Sequence, residues 1–496
     1  LTKRAPTNTY LCLYGHFYQP PREDPFTGKI PLEPGAAPYQ NFNEKITAEC
    51  YRPNAQQGNF EMISYDLGPT LASWLAAHDP VTYQRIIAAD QANIRRHHAG
   101  NALAQAYNHT ILPLANARDK YTQITWAIQD FTYRYGHRPE GLWLPETAVD
   151  EETLSIMADM GIAYTVLAPW QAATPVDPTE PYRVVLPGGR SMVVFFYNAP
   201  LSGGVSFDWD TTSNADLFAA GYLSEQLNQE KLARGEPQLI LIATDGELYG
   251  HHKPWRDYFL AHLVHHGAPE HGFIVSSLGR YLQLYPPQRE ITLDTPSSWS
   301  CHHGVARWST GCACTEGDSS WKPALRQALK ALADRGDALF EHAASQFFID
   351  PWAARNDYLA LREGWTEAEA FWARHGHSGY TPPEADRALL LLEAEYYLQC
   401  SFTSCGFFFE DLDRIEPRND IAFARRAISL FWQATYTDLQ AEFLTDLQAA
   451  RSWRTPFTSR DIYWQLPPLA PDLLPASDLA LSRAPLAPPQ DGTTAA

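Results

Sequence analysis

The chain has no apolar run approaching the ~18 residues that a membrane-crossing helix needs, so no membrane span is expected. Basic residues are scarce: 38 Lys and Arg stand against 57 Asp and Glu, a formal charge of −19. Such a surface repels a polyphosphate backbone, so nucleic acid is not an expected partner. Cysteine is thin and odd in number, seven residues scattered over 496. That is no disulfide framework, and it reads as a chain of the reducing cytoplasm. No Gly-x-Gly-x-x-Gly follows the first apolar strand, which counts against a dinucleotide-binding domain. The chain starts at Leu1, and a processed leader would leave no trace in it.

What is present is aromatic-rich, with fifteen Trp, and too long for one core. Short apolar strands at Tyr10–Tyr14, within Phe60–Thr70, before Asn108, at Gly141–Leu144, Ile162–Leu167, Met192–Tyr197, Leu239–Ala243 and Gly272–Ser276 alternate with helical segments. Those helices include Leu71–Ala77, Lys120–Tyr135, one starting near Asp150 behind an Asp-x-x-Thr cap, and Asp216–Arg234. The alternation predicts an α/β domain over 1–290. A (β/α)7 pseudo-TIM barrel fits the strand count, and an open doubly wound sheet is the competing arrangement. A mainly α-helical C-terminal domain is expected over 291–465, contributing to the active-site cleft. A loosely ordered Pro/Ala-rich tail follows over 466–496. The segment from Arg22 to Asn59 reads as a loop too long for a plain connection, and long loops are often functional.

Polar side chains collect where the strands end. His16, Tyr18 and Gln19 follow the first strand, and Asn108 and His109 the third. Glu146 follows the Leu-Trp-Leu-Pro strand, and Asp245, Glu247 and His251 follow the apolar run from Leu239. Strand ends of a barrel converge in space, so Glu146 and Asp245 form a candidate carboxylate pair. A pair with one member ionised and one protonated is what glycosidic bond cleavage requires. The plainer reading makes Asp245 a helix cap.

Gly15-His-Phe-Tyr-Gln-Pro20, Tyr107-Asn-His-Thr110, Leu142-Trp-Leu-Pro-Glu-Thr147 and Thr244-Asp-Gly-Glu-Leu-Tyr-Gly-His251 resemble, in order, the motifs of glycoside hydrolase family 57. That family includes α-amylases, 4-α-glucanotransferases and α-glucan branching enzymes. The resemblance implies a seven-stranded barrel followed by helices, acting with retention on an α-glucan or maltooligosaccharide. It makes Glu146 the nucleophile and Asp245 the general acid/base, with His16, Asn108, His109, Trp143 and Glu247 shaping the donor-sugar site. Tyr18 stands where the family often has the second His of His-x-His-x-Pro; its hydroxyl can bind sugar but cannot become a cation. The motif from Asp245 to His251 most resembles the branching-enzyme version, a push towards transfer. The region around Ser298-Trp-Ser-Cys-His-His-Gly304 is similar to an uncharacterised domain attached to some members.

Cys301, His302, His303, Cys312 and Cys314 fall within fourteen residues, close to Trp299 and Trp308. Metal binding, sugar binding by an overhanging loop, and plain packing all stay open, although the spacing is not a standard structural zinc pattern. The expected site takes the loop role, with Trp299, His302 and Trp308 facing glucose, and no metal or cofactor is expected. Two other classes remain: a metal-dependent polysaccharide deacetylase-like hydrolase and a non-catalytic glucan-binding protein. The sequence does not give the oligomeric state.

Overall fold

In the computed structural model, which describes residues 8–379, 381–467 and 473, ten strands occur. They are β1 (Thr9–Phe17), β2 (Ser64–Leu67), β3 (Ala102–Gln105), β4 (Leu142–Trp143), β5 (Tyr164–Leu167), β6 (Tyr182–Val185), β7 (Ser191–Phe196), β8 (Gln238–Asp245), β9 (Ile274–Val275) and β10 (Arg289–Glu290). One sheet runs β4-β3-β2-β1-β8, all parallel, with β9 beside β1. A parallel bridge between Gly141 and Tyr164 leads from β4 to β5, which pairs in parallel with β7. The Asn198 amide just after β7 then donates to Leu241 O of β8 at 2.7 Å, bringing the chain back to where the sheet began. Seven parallel strands therefore follow one another around a curled sheet, the expected (β/α)7 arrangement.

The two-residue period of a strand explains the two buried layers. Tyr10, Cys12 and Tyr14 of β1, Val166 of β5, Phe195 of β7 and Leu239, Leu241 and Ala243 of β8 share one cluster inside the curl. Their alternates Leu11, Leu13, Val194, Phe196, Ile240 and Ile242 join a second cluster with side chains from the surrounding helices. His16 continues the inner series of β1 and Asp245 that of β8, so both side chains are carried to the mouth.

Helices Pro69–His78 and Ala117–Tyr135 cover the expected segments. Asp150 caps helix Glu151–Asp159, its side chain accepting from Thr153 N. Elsewhere the expectations need correction. Residues Asn59–Met62 are helical, so the second strand begins only at Ser64. The expected helix over Asp216–Arg234 is broken, because Asn228 accepts from the amides of Glu230 and Lys231 and starts a fresh helix, Gln229–Arg234. β6 was not anticipated. It pairs antiparallel to β7, and the turn at Pro187-Gly-Gly189, with both glycines left-handed, was its available signal.

The long segment after Arg22 is half helical, with Phe42–Ile46, Thr47–Tyr51 and Arg52–Gln57 in succession, capped by Asn41 and ended by left-handed Gly58. It also clamps the chain that follows β8. Asn54 Nδ2 donates to Tyr249 O at 2.7 Å, and Gly250 packs so tightly that a Cβ there would lie 2.3 Å from Glu49 O.

The described residues up to Thr315, with Leu359–Glu367 and Thr403–Phe408, make one compact unit. Residues 291–315, read from the sequence as the start of the helical domain, fold with this unit. The second unit takes Glu316–Tyr358, Ala368–Phe402 and the described residues from Phe409 onward, and it is helical throughout. Helices Pro382–Cys400 and Ile415–Thr435 pack against each other within it. A fully buried Arg355–Glu395 ion pair at 2.9 Å lies in its interior. Almost all of the Pro/Ala-rich tail expected over 466–496 lies outside the described residues. No helix among the described residues is long and apolar enough to cross a membrane.

Candidate active site

Strand register places the site's charges side by side. His16 on β1 is opposite Asp66 on β2 and opposite Asp245 on β8, so three ionisable residues sit at one level of three adjacent strands. His16 Nδ1 meets Asp66 Oδ2 at 2.8 Å, and Tyr14 donates to the other Asp66 oxygen at 2.7 Å. Burial opposes the His16 cation, but Asp66 beside it, helped by Asp245 and Glu247, pushes its pKa up to about 9. His109 behaves oppositely. Burial and the His16 cation hold its pKa well below the usual histidine value. With both His16 nitrogens protonated, Nε2 donates to His109 Nε2 across 3.2 Å, and His109 Nδ1 then donates to Ser404 Oγ at 2.5 Å.

That cation has a consequence for stability. Between pH 6.5 and 9 the folded chain holds a proton at His16 that the unfolded chain has released. The stabilisation is full below pH 6.5 and is lost as pH rises through 9, on the order of 3 kcal/mol. Urea unfolding at pH 6 and pH 9.5 should show this loss in the wild type and a flatter dependence in His16→Gln. Equal slopes for the two proteins would contradict the assignment.

Glu146 lies just past β4 in a kink where Glu146 (φ 57°) and Thr147 (φ 47°) are both left-handed. Two non-glycine residues in that region, one β-branched, cost about 1–3 kcal/mol each and persist only where the surroundings fix them. Here they do. Thr147 Oγ1 donates to Gln171 Oε1 and Gln171 Nε2 returns to Thr147 O, both at 2.8 Å, while Trp299 N donates to Glu146 O at 3.0 Å. The carboxylate itself accepts twice on Oε2, from Trp299 Nε1 at 2.9 Å and Ser300 Oγ at 2.6 Å. Burial raises its pKa, with Asp245 adding to the rise and the Ser300 and Trp299 bonds opposing it.

The two acids after β8 differ sharply. Asp245 is exposed at the mouth, whereas Glu247 is buried and accepts from Tyr51 Oη at 2.6 Å and Tyr18 N at 3.2 Å. Burial, reinforced by Asp245, pushes Glu247 up to about 7 against the Tyr51 bond.

The other expected residues divide. Tyr18 stacks on His109 at 3.9 Å, and Trp143 stacks between Tyr14 and His16. Trp299 meets Trp143 edge to face at 5.1 Å. Gln19 reaches Tyr51 Oη, and His251 pairs with Glu49 at 2.6 Å, so both brace the mouth from the side. Asn108 is tied to Gln123 of helix Ala117–Tyr135 by two bonds of 2.8 Å, a bracing role behind the site. His302 is exposed near Trp170. Trp308 corrects the expectation: it is 0% exposed, packed beside Phe408, and cannot face a sugar from there. Sequence reasoning missed Asp66, Tyr51 and Ser300. Asp66 had a visible signal, an acid ending a short apolar strand; Tyr51 and Ser300 had none.

Comparison with known proteins follows the same division of the chain. Residues 84–293 match Glycosyl hydrolase family 57, and residues 318–475 match a domain of unknown function, DUF3536. No curated protein gives a significant match to the chain. Among solved structures, the fold is similar to the exo-type maltose-forming amylase of Pyrococcus sp. ST04, at 14% identity and TM-score 0.72, over 89% of this chain and 83% of that one. The branching enzyme of Pyrococcus horikoshii gives 15% identity and TM-score 0.59, over 93% and 98%. An α-amylase of Thermotoga maritima gives 13% and 0.54, over 92% and 99%. A curled seven-stranded sheet, a carboxylate at the tip of β4 and another at the tip of β8 thus coincide with a Glycosyl hydrolase family 57 match over residues 84–293, which is followed by a match to a domain of unknown function over 318–475.

Proposed function

We propose that the enzyme cleaves α-1,4-linked glucans with retention, Glu146 attacking the anomeric carbon and Asp245 serving as general acid and then base. The observation that carries this reading is the contrast between the two carboxyls. Glu146 is gripped on one oxygen by Trp299 and Ser300, so Oε1 is the atom presented to a sugar; Asp245 is open to solvent and can exchange protons. In the first step Glu146 Oε1 bonds to the anomeric carbon as the glycosidic C–O bond breaks, and Asp245 protonates the departing oxygen. In the second, Asp245 takes a proton from water or from a glucan hydroxyl, which displaces Glu146 and restores the α configuration. The charged His16, its two N–H groups held by Asp66 and His109, places positive charge beside Asp245. Glu247 is set to bind a sugar hydroxyl through Oε2, and Trp299, packed edge to face on the buried Trp143, offers an apolar ring face.

Hydrolysis and transfer differ only in which hydroxyl enters second. The similar structures include both a maltose-forming amylase and a branching enzyme. Products from maltooligosaccharides, amylose and branched glucan, followed by anomer-resolving NMR, test the reading. The first-formed products should carry the α anomer or a new α-glucosidic bond. A β anomer formed first, or no action on any of the three, would contradict it.

A further inference from the structure

The cluster left outside the sugar site has the geometry of a metal centre. The Sγ atoms of Cys301, Cys312 and Cys314 and a ring nitrogen of His303 all lie within 4.8 Å of one another. Cys301 and Cys312 face each other at 3.5 Å, and Cys314 faces His303 Nδ1 at 3.4 Å. A tetrahedral zinc ion with bonds of about 2.0–2.3 Å spaces its S and N ligands by roughly 3.4–3.8 Å along every edge. The two short contacts match opposite edges of such a tetrahedron. A disulfide would need about 2.05 Å between sulfurs, well below what is found.

We propose that Cys301, His303, Cys312 and Cys314 bind one zinc ion as a closed Cys3His structural site. The pattern is Cys-x-His, eight residues, then Cys-x-Cys. One-residue gaps of this kind are why the spacing did not read as a zinc pattern, yet the loop supplies the turns they need. Gly304 is left-handed against Pro296 O, where a Cβ would lie at 2.7 Å, and Gly311 N donates to Ala306 O at 2.7 Å. Three thiolates and one zinc leave a net negative charge. Arg307 sits beside it, donating to Cys314 O at 2.6 Å with its guanidinium over Phe408. Binding displaces the thiol protons to solvent. His302, although adjacent, is not in the group.

The site's position gives it a second consequence. Cys301 directly follows Trp299 and Ser300, the two donors to Glu146 Oε2, so the ion would fix the loop that holds that carboxylate. This consequence rests on the role proposed for Glu146; the presence of zinc does not.

The test is metal analysis of the full-length chain, incubated with zinc sulfate under reducing conditions and desalted. About one equivalent of zinc is expected, and cobalt loading should give the strong visible bands of a tetrahedral thiolate complex. His303→Ala, at an exposed position, should retain at least about tenfold less zinc after brief chelation than the wild type, while His302→Ala retains it normally. Cys312→Ser should likewise lose zinc; should it fail to fold, the wild-type stoichiometry and the two histidine variants still decide. Less than about 0.1 equivalent in the wild type, equal retention by both histidine variants, or a Cys301–Cys312 disulfide that survives the reducing incubation would overturn the assignment.

Discussion

Asp245→Asn is expected to lower turnover of glucans by about 10²–10⁴-fold and to leave the fold intact. The size of the loss follows from the leaving group, a sugar hydroxyl that departs poorly unless protonated. α-Glucosyl fluoride needs no such help, so Asp245→Asn should still form the glycosyl-enzyme from it and then stall, since no base remains to activate water. Glu247 is the competing candidate, two residues on. It is buried and already accepts from Tyr51 and Tyr18 on Oε1, whereas Asp245 is open at the mouth. A burst with α-glucosyl fluoride in Asp245→Asn, absent in Glu247→Gln, would separate the two. If Asp245→Asn kept near-wild-type rates on every glucan, the acid/base assignment would be lost.

Glu146→Ala should fall further, by at least about 10⁴-fold, because the atom that forms the covalent bond is gone. The vacated space lies beneath the Trp299 and Ser300 donors. Azide placed there can attack the anomeric carbon from the face that Glu146 used and release a β-glycosyl azide. Recovery of that product from an activated α-glucosyl substrate establishes the face of attack, which a simple loss of activity does not. An α-glycosyl azide, or none with substrate consumed, would be inconsistent with Glu146 as nucleophile.

How much of this could be read from the sequence depended on how local each signal was. The apolar strand Leu239–Ala243 and its acidic end were visible because a buried parallel strand is a continuous apolar run. The same held for the Asp150 cap, whose partner is three residues away. The antiparallel β6 was lost because half its side chains are exposed and its pairing rests on one glycine turn. The contacts that grip Glu146 were beyond reach, since Trp299 and Ser300 lie more than 150 residues away and nothing in their own spacing announces a carboxylate. The order of four short motifs supplied what local patterns lacked, while Asp66, beside the second strand's end, was legible and overlooked. The cysteines were seen as a cluster, but only folding brought three of them to one histidine and turned the neighbouring residue, His302, away.

The most direct test of the account is to trap the covalent intermediate. Incubation with 5-fluoro-α-glucosyl fluoride, which slows breakdown of the glycosyl-enzyme, followed by peptic digestion and tandem mass spectrometry, should place one fluoroglucosyl group on the peptide spanning Leu142–Thr147, esterified at Glu146. A label on Asp245, Glu247 or any other residue, or no label while the reagent turns over, would contradict it.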